Sequence, residues 1–87
     1  MPGVLLMNEP TRGIDVGARA DIYRIMRELC SLGYVLVMTS SDLEEVVGIA
    51  DIVITMYRGR TVARYERRSI AMARILADIT HPAQAAA

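Results

Sequence analysis

The stretch VLLMNEPTRGIDVGA, residues 4–18, decides how the chain is read. Val4, Leu5, Leu6 and Met7 form an unbroken apolar run between Pro2-Gly3 and Pro10, the pattern of a short strand buried on both faces of a sheet. Asn8 and Glu9 close that run, so the strand delivers an amide and a carboxylate side by side at its end. A carboxylate in that place is where phosphoryl-transfer chemistry expects a metal ligand or a group that orients water.

Working outward, residues 18–32 place Ala18, Ile22, Ile25, Met26 and Leu29 on one side and Arg19, Asp21, Arg24, Arg27 and Glu28 on the other. That spacing predicts an amphipathic helix, and Gly33 is placed to end it in the left-handed conformation. Residues 34–39 are a second apolar, β-branched run, residues 41–48 a short helix, and residues 51–57 a third strand. Tyr57-Arg58-Gly59-Arg60 reads as a turn, after which residues 61–65 fold back as an antiparallel strand. A last helix is predicted over residues 69–80, with Met72, Ile75, Leu76 and Ile79 at helical spacing and His81-Pro82 stopping it.

The order strand, helix, strand, helix, strand predicts an α/β fold with three mainly parallel strands and crossover helices, followed by a hairpin strand and a helix. Residues 1–80 then form one portion of a domain, and residues 81–87 a disordered Ala-rich tail. There is no internal repeat.

Composition narrows the classes. A chain of 87 residues buries only about two-thirds of its unfolded surface, yet 53% of these residues are hydrophobic, more apolar face than so short a chain covers alone. Such an excess is expected of a cut surface, and with it self-association into a homo-oligomer. The 10 cationic side chains are all arginine and are balanced by 10 acidic ones, so no net field draws the chain to nucleic acid or anionic lipid. The lone Cys30 excludes an internal disulfide and suits a reducing compartment, and no apolar run approaches the roughly 18 residues of a spanning helix. A cytoplasmic location is expected.

With these residues in place, the chain from about residue 2 to the last helix resembles the carboxy-terminal part of an ABC transporter ATPase domain. Within that superfamily it is most similar to the second of two tandem ATPase domains in carbohydrate importers of the ribose, xylose and galactose type, where TRGIDVGA and a Ser-Ser switch segment are typical. The resemblance implies a partial P-loop NTPase-like half-domain. It makes residues 4–8 the Walker B strand, with Asn8 where the family carries a magnesium-holding aspartate, and Glu9 the catalytic glutamate that polarises the attacking water. Gly13-Ile14-Asp15 matches the D-loop that couples paired ATPase domains, and Ser41 the switch position, usually histidine, that touches the γ-phosphate and fixes the catalytic glutamate.

The implied cofactors are ATP and Mg2+ in the complete domain. The implied partners are the remainder of the ATPase domain, a second ATPase domain and a membrane permease at the inner face of the cell membrane. The chain has no lysine for a GxxxxGK[ST] phosphate cradle, and no glutamine loop or signature motif, so the 87 residues alone are expected neither to bind ATP tightly nor to hydrolyse it. Asn8 brings no negative charge to a cation, and weaker metal affinity follows.

Simpler roles compete. Glu9 before Pro10 also reads as an ordinary strand-to-turn carboxylate, although TRGIDVGA weighs against that. Asp15 reads as a helix cap, and Ser41 with Glu44 as a capping box. The arginines at 58, 60, 64, 67 and 68 read as a solvated hairpin face, Met7, Met26, Met38, Met56 and Met72 as core packing, and Cys30 as structural. Two alternatives to a hydrolase fragment stand beside it: a stand-alone interaction module that pairs through an exposed sheet edge, and a degenerate remnant of the parent gene.

Overall fold

The apolar run after Gly3 extends as strand β1 (Val4–Asn8), and the second run as strand β2 (Val35–Thr39). A computed structural model describes residues 2–80 of the chain, so the expected tail at residues 81–87, with His81 and Pro82, lies outside the described residues. The chain divides into two units, Met1–Ser41 and Asp42–Ala87.

In the first unit β1 and β2 pair in parallel, from Val4 opposite Val35 to Asn8 opposite Thr39. Helix α1 (Val16–Ser31) makes the crossover between them, as a parallel pair requires. Its start and stop are written locally. Asp15 accepts a hydrogen bond from the Ala18 N–H at 2.8 Å, satisfying a donor that the helix leaves unpaired. At the other end the Gly33 N–H reaches the Cys30 carbonyl at 3.0 Å and the Tyr34 N–H reaches Leu29 at 3.1 Å, with Gly33 at φ +98°. This is a Schellman ending, which needs a residue without a Cβ at the left-handed position. Pro2 packs so close that a Cβ on Gly33 would meet its Cγ at 3.2 Å.

Burial departs from expectation here. Leu6 is 79% exposed, and Val4, Val35 and Val37 are exposed as well, so β1 is not buried on both faces. Two strands and one amphipathic helix cannot cover both sides of a parallel ladder. Cys30 is a free, exposed thiol.

The second unit holds helix α2 (Leu43–Ile49), strands β3 (Ile52–Tyr57) and β4 (Arg60–Glu66), a 3-10 turn at Arg67–Ser69, and helix α3 (Met72–Thr80). β3 and β4 form an antiparallel hairpin whose turn residues Arg58 and Gly59 both have positive φ, 49° and 80°. That is the type I′ geometry whose twist matches the flanking strands. Of the three mainly parallel strands expected, two form the parallel pair of the first unit, and within the second unit β3 pairs with β4.

β3 alternates cleanly. Val53 and Thr55 point inward, and Val53 joins Tyr65 and Ile75 in a small core backed by Leu43, Val46 and Val47 of α2. Ile52, Ile54 and Met56 point outward and are exposed. Met56 and Met72 are thus not core residues as expected: Met56 falls on the outward side of the pleat, and Met72 opens α3 with an exposed side chain. The arginine run is a solvated face in this unit, with Arg64 paired to Glu66 at 3.0 Å, Arg67 paired to Asp51, and Arg58 stacked 5.2 Å from the Tyr57 ring centre.

The sequence pattern concealed a buried polar cluster. Asp78, 1% exposed, accepts hydrogen bonds from Thr55 Oγ1 at 2.9 Å and from the Tyr65 hydroxyl, fastening α3 to both strands. Thr55 Oγ1 in turn accepts from the Ala63 N–H at 3.1 Å, beside an irregularity that leaves Val62 unopposed. The hydrogen bond to Asp78, desolvation and the carboxylate's charge hold the Tyr65 phenol above its ordinary 10.0, against the lowering influence of Arg74. A raised folded-state value means that this stabilisation is whole below the unfolded value and is lost as pH rises through the folded one. In urea titrations, stability should fall above pH 10.0 in the wild type and less so in Tyr65→Phe. Asp78→Ala, which removes the buried acceptor shared by the Tyr65 and Thr55 hydroxyls, should cost about 2–4 kcal/mol in the same assay.

Candidate functional site

β1 ends on Asn8, and the chain turns at once. Glu9 has φ +51°, a left-handed conformation that residues with side chains seldom adopt. Its N–H donates to the Thr39 carbonyl at 2.8 Å and its carbonyl accepts from the Arg12 N–H at 3.1 Å, so the backbone is held on both sides. Pro10 follows it, and the Ile14 N–H closes the next turn onto Thr11 at 3.1 Å. A disfavoured conformation that its surroundings over-determine is a mark of functional positions.

This turn lifts the Glu9 side chain to the C-terminal rim of the parallel ladder, half-buried rather than sunk in hydrocarbon. There Ser41 meets it twice. The Ser41 N–H donates to Glu9 Oε1, and the Ser41 hydroxyl donates to Oε2 at 3.0 Å. Both carboxylate oxygens are thereby oriented by one residue, and charge-assisted bonds of this kind are stronger than neutral ones. Ser41 does not cap α2, as the sequence suggests. That role falls to Asp42, whose Oδ1 accepts from the Glu45 N–H at 3.2 Å, while Glu44 and Glu45 complement the dipole of the first turn.

Asn8 stands beside this pair. Its Oδ1 accepts a hydrogen bond from the hydroxyl of Thr39, its partner in the ladder. Asp15 belongs to a different local feature, the N-terminus of α1, where its carboxylate caps Ala18. Of the four residues singled out from the sequence, the fold gathers Asn8, Glu9 and Ser41 at one rim and gives Asp15 a cap. Thr39 is the residue that sequence reasoning missed. Its only signal was a hydroxyl at the end of an apolar run, next to Ser40-Ser41.

The oxygen donors at this rim bring a single negative charge to a cation. They comprise one carboxylate, with both oxygens engaged by Ser41, and one neutral carboxamide engaged by Thr39. Among the described residues no group of three His, Cys, Asp or Glu side chains converges to hold a metal. What the arrangement offers chemically is a fixed, solvent-reachable carboxylate with hydroxyl neighbours, suited to accept a hydrogen bond from a water and to orient it.

Comparison with known proteins finds relatives over most of the chain. The chain is 51% identical over 74 residues to the arabinose import ATP-binding protein AraG of Rhizobium meliloti, a match covering 85% of this chain and 15% of that protein. It is 43% identical over 84 residues to the ribose import ATP-binding protein RbsA 1 of Streptomyces coelicolor, covering 97% of this chain and 17% of the relative. It is 42% identical over 79 residues to the xylose import ATP-binding protein XylG of Geobacillus kaustophilus, covering 91% and 16%. The chain therefore spans about a sixth of the length of these relatives. No family model matches it.

If Asp15 acts as a helix cap, Asp15→Ala should cost about 1 kcal/mol, read by thermal melting followed by circular dichroism, and Asp15→Ser should recover most of the loss.

Proposed function

We propose, starting from the membership of this chain among the ATP-binding proteins of carbohydrate import, that it carries the water-activating part of an ABC transporter ATPase site. In this reading Glu9 orients and polarises the water that attacks the γ-phosphate of ATP. Ser41 holds Glu9 and touches the same phosphate. The D-loop around Asp15 couples the site to a second ATPase domain, and a membrane permease uses the resulting domain closure at the cytoplasmic face. The phosphate cradle comes from other segments of the domain, because these residues include no lysine to reach the β- and γ-phosphates. In this reading ATP and Mg2+ belong to the complete domain, and no role assigned to Glu9 or Ser41 passes through the metal.

The observation that carries this reading is the double hydrogen bond from Ser41 to a half-exposed Glu9 at the C-terminal end of a parallel ladder. Open α/β sheets bind their ligands at that end of the strands. An ordinary strand-to-turn carboxylate has no need of a strained backbone or of two donors from a single residue.

A second reading rests on its own observation. Val4, Leu6, Val35 and Val37 are exposed along a ladder of only two strands, which suits a module that associates through its sheet. Sedimentation at high concentration tests association, and a clean monomer counts against it.

In the native-length protein, Glu9→Gln should lower ATP turnover by about a hundredfold or more while leaving nucleotide binding in place. Unchanged turnover would overturn the assignment. For the 87-residue chain alone, isothermal titration should show no micromolar binding of ATP.

A further inference from the structure

We infer that Thr39 is a positioning residue for Glu9, and that Asn8 serves as its strap partner instead of supporting a cation. This inference rests on the reading of Glu9 given above and adds to it how the carboxylate is held.

Glu9 must stay at φ +51° for its carboxylate to meet Ser41, and it sits immediately past the last rung of a two-stranded ladder, where strands fray. Thr39 secures this end through two different groups. Its carbonyl accepts the Glu9 N–H at 2.8 Å, and its hydroxyl donates to the Asn8 side chain. Two consecutive residues of β1 are thereby tied to one residue of β2, in the register that sets Asn8 opposite Thr39. Ser41 follows two residues later and holds the carboxylate itself. Residues 39–41 thus form one short splint: Thr39 fixes the backbone of the turn, and Ser41 fixes its side chain.

The chemistry of position 8 fits a strap. A carboxamide accepts the threonine hydroxyl without adding a negative charge beside Glu9, whereas two adjacent carboxylates at this rim would repel each other. An amide already tied to a neighbouring hydroxyl is a poor support for a divalent ion, which seeks charged oxygen donors.

The test uses the native-length protein and two measurements. Thr39→Val removes the hydroxyl but keeps the size, the carbonyl and the β-branched shape that suits a strand. Hydrogen exchange at the Glu9 amide should become about tenfold faster in this variant, and kcat for ATP should fall about tenfold with KM little changed. Thr39→Ser, which restores the hydroxyl, should return both towards wild type. Asn8→Leu should reproduce Thr39→Val, and the double variant should be no worse than either single one, because one interaction is lost in all three. Unaltered Glu9 exchange in Thr39→Val, failure of serine to rescue, or additive losses in the double variant would each overturn the strap. Failure of the Glu9 reading looks different: Glu9→Gln would leave turnover untouched, while amide exchange would still report on the strap.

Discussion

The parallel register that sets Asn8 against Thr39 is the constraint on which the candidate site depends. Once it holds, β2 ends level with β1, and the three residues from Thr39 to Ser41 pass directly alongside Asn8 and Glu9. A hydroxyl, a carbonyl, a backbone N–H and a second hydroxyl then become available to two residues of the other strand. A slip of one residue would turn every side chain of β1 to the opposite face and leave Glu9 without Ser41. The helix between the strands serves that register, and its ends are therefore closely specified by Asp15 at one side and Gly33 at the other.

The second unit is organised on a different principle. Among the described residues its fully buried apolar core is Val53, Tyr65 and Ile75, too small to specify how a helix lies on a hairpin by itself. The buried carboxylate of Asp78 supplies the missing specificity, since two hydroxyls from two strands converge on one oxygen. Such a cluster stabilises only while its members are satisfied, and removing Asp78 takes away the acceptor that Thr55 and Tyr65 share.

Much of the chain was legible without a fold. The apolar runs that became β1, β2 and β3, the amphipathic period of α1, the left-handed Gly33 and the turn at Arg58-Gly59 were all readable from neighbours a few positions apart. Glu9 stood out for the same reason, as a carboxylate between an apolar run and a proline. Expectations failed where outcomes hung on distant partners. Ser41 looked like a cap because Glu44 lies three residues on, but the Glu9 carboxylate competes for the same serine and Asp42 takes the cap. Met56 looked like core because it lies in an apolar run, yet the pleat turns it outward. Asp78 and Thr55 gave no signal, because a polar residue at helical or strand spacing reads as solvent-facing until a partner is known.

The secondary elements, the caps that bound α1 and the kinship with carbohydrate-import ATP-binding proteins are written in local spacing or in residue identity along the chain. It took strand pairing to show that Thr39 ties Asn8 and that both donors of Ser41 go to Glu9 and not to a cap, contacts that join residues 31 and 32 positions apart. The physical reason is that a short polar side chain has several hydrogen-bonding options within reach of its own backbone. Which one wins depends on what strand pairing brings beside it.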